Sequence, residues 1–344
     1  MLLQPVNRRV TLRQQQGTSQ AVKVTLRMIA QRSAMALVLV FTMLAVNAET
    51  VTPNEWLERM SVAIKTMNFE GTVIRRRNGQ SEALKVLHKV IDGVVHEKII
   101  TQEGNGLEII RNGNEVHCIL PDKKSVLIER WSDDSTLFST LPASELRFGS
   151  EYDLSIVREE RVAGRRALLL AIRPHDGYRF GHRIWLDRET AFPLRTELVA
   201  GDGALLEQLK FADIKLNVEI PQQALMSSFN LDDYTWYAEP VRPEIIDAES
   251  DWSSDEIPAG FRLLSTTHEI MEDADSPVTH IMYSDGLATV SVFIAEKKDG
   301  PVQQRSTVGA SNSYSVEREN HLITAIGEVP PATVRRIAVS MRQK

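Results

Sequence analysis

The chain holds one cysteine in 344 residues, Cys118. It therefore cannot close an internal disulfide, and no paired-cysteine metal or redox motif can form. The strong cofactor and nucleophile signatures are missing as well: there is no GxSxG, GxxxxGK or CxxC. His96-Glu97 and His268-Glu269 lack the second histidine that would complete a zinc-binding helix, so neither is a metal motif. The eight histidines are scattered, at positions 88, 96, 117, 175, 182, 268, 280 and 321. No cofactor is expected and no catalytic role is assigned. An envelope hydrolase would require histidines or acids gathered at a pocket, which nothing in the spacing demands.

Acidic residues are absent from positions 1–48, where Arg8, Arg9, Arg13, Lys23, Arg27 and Arg32 precede the apolar run 34–46 and a Val46-Asn47-Ala48 ending. This is the layout of a cleaved secretory signal, and the run falls short of the roughly 20 residues of a spanning helix. Met28 is an alternative start. Cleavage after Ala48 leaves Glu49 first, with no cysteine for a lipid anchor, and the mature protein is expected to be soluble in an oxidising compartment. Removing six positive charges from 40 leaves 34 against 46 acids, a net charge of −12. Such a chain is a poor partner for nucleic acid, whereas a basic protein segment suits it.

What remains is patterned. Thr52-Pro53-Asn54-Glu55 has capping-box spacing with proline at the first helical position. Trp56, Met60, Ala63, Ile64 and Met67 follow as one helical stripe. After Asn68 the period becomes two. FEGTVIRRR, ALKVLHKVI, VVHEKIITQ, LEIIR and EVHCIL are punctuated by Asn78-Gly79, Asp92-Gly93, Gly104-Asn105-Gly106 and Asn112-Gly113. In that last strand Cys118 reads as a small buried residue. Residues 132–150 are less regular, with a short helix expected at LPASEL and Asp133-Asp134 solvated, as are Asp232-Asp233. Strands resume with YDLSIVREE, RALLLAIR, YRFGHRIWLD, PLRTELVA and ALLEQLKF. The fold class is α+β, mostly antiparallel β: a large open or half barrel with a helix, then a smaller α+β domain.

The boundaries are 1–48 signal, 49–238 large domain, 239–258 linker and 259–344 C-terminal domain. The linker holds seven acids, three prolines and one arginine between Glu239 and Pro258. Beyond it, HIMY and LATVSVFIA flank Ser284-Asp285-Gly286, YSVER and HLITAIGE flank Glu319-Asn320, and Pro330-Pro331 opens a final amphipathic helix.

Residues 175–187, HDGYRFGHRIWLD, concentrate histidine, arginine and aromatics. Read as a strand from Tyr178, they put Tyr178, Phe180, His182, Ile184 and Leu186 on one face and Arg179, Gly181, Arg183, Trp185 and Asp187 on the other. The apolar face is either core or the lining of a hydrophobic groove. Arg179 and Arg183 are either solvated or bind an anion or an acidic segment.

The stretches 176–211, MYSDGLATVSVFI (282–294) and GEVPPATVRRIA (327–338) resemble the RseB/MucB family of periplasmic sigma-factor regulators. The resemblance implies a large domain like the lipoprotein carriers LolA and LolB, a smaller C-terminal domain and possible homodimers. It also implies a partner, the periplasmic segment of a membrane-anchored anti-sigma factor, shielded from proteolysis until lipid or lipopolysaccharide fragments bind. On that basis Tyr178, Phe180, Ile184 and Trp185 are lipid-groove candidates. Tyr283, Ser284, Asp285, Gly286 and Phe293 are partner-binding candidates. For each of them, packing or turn geometry alone is the competing reading. The competing function is a periplasmic lipid or lipoprotein carrier.

Overall fold

In the computed structural model the described residues are 51–130, 137–138, 141, 150–238, 251–269, 277–298, 300, 302 and 304–344. The signal segment, the Asp133-Asp134 pair, the helix expected at LPASEL (apart from Leu141) and residues 239–250 of the linker lie outside them.

Helix α1 (Pro53–Thr66) starts as its sequence dictates. The Thr52 hydroxyl accepts from the Glu55 N–H, and the Glu55 carboxylate accepts from the Thr52 N–H at 2.6 Å. Its stripe of Trp56, Met60 and Ala63 is buried. The meander follows: β1 (Phe69–Arg77), β2 (Gln80–Ile91), β3 (Val94–Thr101), β4 (Glu108–Asn112), β5 (Glu115–Leu120) and β6 (Ser125–Arg130). Asn78 and Gly79 both take positive φ, 55° and 75°, as the two-residue hairpin between β1 and β2 requires. Next come β7 (Tyr152–Val162), β8 (Arg165–Pro174), β9 (Gly181–Asp187), β10 (Pro193–Val199), β11 (Leu205–Leu216) and β12 (Thr235–Ala238).

These twelve strands form one sheet, in the order β12-β6-β5-β4-β3-β2-β1-β11-β10-β9-β8-β7. Its two end strands do not pair, so the barrel is open. All the pairings are antiparallel except β12 on β6. One core gathers Phe69, Val73, Leu84 and Ile99 with Leu169, Trp185, Phe192, Leu194 and Phe211, so the sheet curls round it. The other face of β2–β4 is covered by the segment after β11: Ile220 and Leu225 pack on Leu87, and Lys98 reaches Glu108, Ser228 and the Met226 carbonyl.

The rest of the chain is β13 (Trp252–Ser254), β14 (Arg262–Glu269), β15 (Val278–Ser284), β16 (Thr289–Glu296), β17 (Arg305–Val308), β18 (Ser311–Arg318), β19 (His321–Gly327), α2 (Pro331–Ser340) and β20 (Met341–Gln343). Six strands form a second antiparallel sheet, β14-β15-β16-β19-β18-β17, and β13 pairs with β20. Helix α2 packs on β18 and β19. Its Val334, Ile337 and Ala338 join Trp252, Tyr283, Val292, Tyr314 and Ile323 in a separate core.

Two readings need correction. Tyr178 and Phe180 are not strand residues, because β9 begins at Gly181 and the preceding residues form bends tied by the Asp176 carboxylate on the Tyr178 N–H. Cys118 is half-buried rather than buried; burial, helped by Glu129, pushes its thiol up to about 11.

Candidate interdomain site

Register decides which face of β9 matters. Ile184 pairs with Leu170 and Thr196, and Thr196 in turn pairs with Leu209. His182 pairs with Leu198. This row opens on two adjoining cavities, of about 270 and 250 Å³. The first has Ile99, Ile109, Leu137, Leu141 and Leu209 as apolar wall and Arg75, Arg76 and Arg77 at its rim. The second is closed by Tyr152 and Phe180 from one side and by Leu287, Ala288 and Thr289 from the other. His182, Leu198 and Glu328 line both. Six apolar and six charged residues line the first cavity, so it is an amphipathic hollow rather than a plain apolar one.

Electrostatics differ along this wall. Enclosure in apolar surroundings lowers the His182 pKa to about 4, against the pull of Asp285. Glu328 is raised, first by burial and then by Glu207. The attraction of Arg77, which bridges Glu207 at 2.8 Å and Glu328 at 3.1 Å, does not cancel this.

Beside the cavities a buried arginine ties the two halves together. Arg179 is 1% exposed. Its Nε donates to Asp285 at 2.5 Å, and its other nitrogens bind Asp176 and the Ala259 carbonyl. The guanidinium lies over Phe261 at 4.8 Å and Tyr152 at 5.6 Å. The Tyr152 hydroxyl also donates to Asp285, at 2.9 Å, and its ionisation is pushed up by burial and by that carboxylate. Asp285 in turn accepts the N–H groups of Leu287 and Ala288, which fixes the β15–β16 turn. A second tie joins Tyr178 to α2: Thr333 donates to the Tyr178 carbonyl at 2.7 Å, and Arg336 to its hydroxyl at 2.8 Å.

The groove candidates therefore separate. Phe180 lines a cavity, whereas Ile184 is wholly buried and lines neither. Tyr178 instead meets α2. Trp185 belongs to the core that also holds Ile99 and Leu209 but lines neither cavity; its indole N–H donates to Glu160 at 2.7 Å beneath the Arg195 guanidinium at 4.2 Å. Among the partner candidates, Tyr283 is core and Asp285 is the buried acceptor of Arg179. Ser284 donates to the Ala288 carbonyl, and Gly286, at φ 95°, donates back to Ser284. Phe293 stacks on His280 with ring centres 4.4 Å apart. The role of Arg179 as the joint was not singled out by its sequence context. Arg179 is not solvated: its charge is taken up by Asp176 and Asp285 within the molecule.

Among the described residues no three histidines, cysteines or acids are gathered to hold a metal. No helix of these residues is long and apolar enough to cross a membrane. Fold and site together describe a protein of two large sheets with a cavity between their halves and a second one beside it on the larger sheet. The chain belongs to the MucB/RseB family: the model of the MucB/RseB N-terminal domain matches residues 52–229 and that of the C-terminal domain residues 247–342. It is 31% identical to the sigma factor AlgU regulatory protein MucB of Pseudomonas aeruginosa, over 90% of this chain and 98% of that protein. To the sigma-E factor regulatory protein RseB of Escherichia coli K12 it is 26% identical, over 90% and 96%. The crystal structure of MucB in complex with MucA(peri) superposes with a TM-score of 0.65 at 29% identity, covering 85% of this chain and 99% of that one.

Proposed function

We propose that this protein is a periplasmic regulator that holds the periplasmic segment of a membrane-anchored anti-sigma factor. It shields that segment from regulated proteolysis and releases it when a lipid or lipopolysaccharide fragment binds. The observation that carries this is similarity along both domains to MucB, a protein solved with MucA(peri) bound. The cavities supply the second half of the reading. The first lies against the large sheet and takes only Glu328 from beyond it; the second cavity is walled from both halves of the chain, Phe180 and Leu198 on one side and Leu287, Ala288 and Thr289 on the other. A ligand seated there acts on the joint between residues 49–238 and 259–344, with 239–258 as the connecting strap. It can favour release only by its differential affinity for the two arrangements, and a tenfold loss of partner affinity needs a coupling of about 1.4 kcal/mol.

Phe180 serves the ligand side. The end of β15 and the turn after it, residues 283–286, serve the partner side through the attachment of Asp285 to Arg179. The test is calorimetric titration of residues 49–344 with the periplasmic segment of the host's membrane anti-sigma factor, with and without lipopolysaccharide fragments. Tight binding that the fragment weakens is the expected result. Lipid uptake without any binding of that segment would replace the regulator by a lipid carrier.

A further inference from the structure

Strand β17 is the outermost strand of the second sheet, and among the described residues nothing pairs with its outer edge. On its inner side Arg305 is in register with Tyr314, Thr307 with Asn312 and Val308 with Ser311. The Ser315 N–H donates to the Gln304 carbonyl at 2.9 Å. In an antiparallel pair the hydrogen-bonded positions alternate, so Gln304, Ser306 and Val308 turn their backbone groups inward. The N–H and C=O groups of Arg305 and Thr307 then point out along the free edge.

The side chains of these same two residues share a recess of about 240 Å³ with Asn312, Tyr314, Pro331 and Arg335. The Arg305 guanidinium leans on the Tyr314 ring at 5.7 Å. Neither Arg305 nor Arg335 has a carboxylate partner among the described residues. That contrasts with Arg75, Arg77, Arg165 and Arg179, each tied to an acid. An otherwise acidic chain thus carries two uncompensated cations beside an open strand edge.

We propose that this edge receives an extended acidic segment of a partner protein, added as a further strand beside β17. A glutamate or aspartate of that segment sits in the recess with Arg305 and Arg335. Backbone pairing supplies affinity in such additions, and the pockets for alternate side chains supply specificity. This docking surface goes beyond the ligand cavities and stands whether or not they bind lipid.

The experiment titrates the chain 49–344 with the capped peptide TVEVEVT and with its lysine counterpart TVKVKVT, following binding by fluorescence anisotropy. Amide exchange at Arg305 and Thr307 is followed in parallel. The glutamate peptide should bind with Kd below about 1 mM and slow exchange at both amides, while the lysine peptide should not bind. Arg305→Gln and Arg335→Gln should each weaken binding about tenfold. Thr307→Pro removes one outward N–H and no backbone hydrogen bond to β18, and should abolish binding with the circular dichroism unchanged. Should that variant not fold, the arginine variants and the exchange data decide alone. Equal binding of both peptides, equal binding by the arginine variants, or no binding at about 1 mM overturns the proposal.

Discussion

Replacing Arg179 with methionine keeps most of the side-chain volume over Phe261 and Tyr152 and deletes the charge. Asp285, with its side chain 3% exposed, then keeps only the Leu287 and Ala288 N–H groups and the Tyr152 hydroxyl. Removing one partner of a buried pair costs about 3–5 kcal/mol because the other charge is left uncompensated. The three surviving donors place the expected loss near the lower end, at about 3 kcal/mol. Asp285→Asn alone leaves Arg179 with Asp176 and the Ala259 carbonyl, and should cost less. In the double variant no buried charge lacks its partner, so the two losses should fall short of additivity by about 1.5–3 kcal/mol. Urea unfolding read by tryptophan fluorescence measures this, since Trp185 and Trp252 belong to separate cores. The transition should also split as the two cores lose their joint. A loss under about 1 kcal/mol, or strict additivity, would refute the assignment of Arg179 as the element that holds the sheets together.

Three further outcomes are expected. The pKa of His182 is lowered in the fold, so the unfolded chain binds the extra proton between pH 6.5 and about 4. Stability should therefore fall as pH drops through that window, by roughly 2–3 kcal/mol given some water in the cavities. His182→Gln should lack this slope, and an NMR midpoint for His182 near 6.5 would contradict the reading. A Cβ at Gly71 would meet the Asp213 carbonyl oxygen and, at 3.1 Å, the Ile214 Cα across the β1–β11 pairing. Gly71→Ala should cost about 1–3 kcal/mol, checked by its thermal midpoint. Lys98→Met strands Glu108, whose pKa burial would raise but which hydrogen bonds from Ser228 and Lys98 hold low. About 3–5 kcal/mol should be lost, with faster proteolytic nicking of residues 218–231 as the readout.

Local features of the fold were legible. The Thr52–Glu55 box and the Asn78-Gly79 turn act between near neighbours, so residue type alone determines them. The first five alternating runs correspond to β1–β5 within a few residues. Features set by distant contacts were not. β12 is short, exposed and joined in parallel to β6, and nothing in TWYA announces that partner. Tyr178 and Phe180 continue the alternation of β9 in sequence, yet Asp176 and α2 bend the chain there. The burial of Arg179 depends on Asp285, Ala259 and Phe261, all supplied by the loops beside the other sheet. A surface arginine and a joint arginine look alike until that sheet is in place.

The seam between β1 and β11 has a consequence for how the chain comes together. Phe69 lies opposite Leu216 and Arg76 opposite Gln208. As synthesis proceeds, the meander from β1 to β6 can assemble while the outer side of β1 waits for roughly 140 further residues, a slow, non-local closure. Throughout that interval the waiting edge carries Arg75, Arg76 and Arg77, whose mutual repulsion discourages pairing with another nascent copy. Once β11 arrives, Glu207 takes its place opposite Arg77, and the charges that kept the edge single become part of the closed seam.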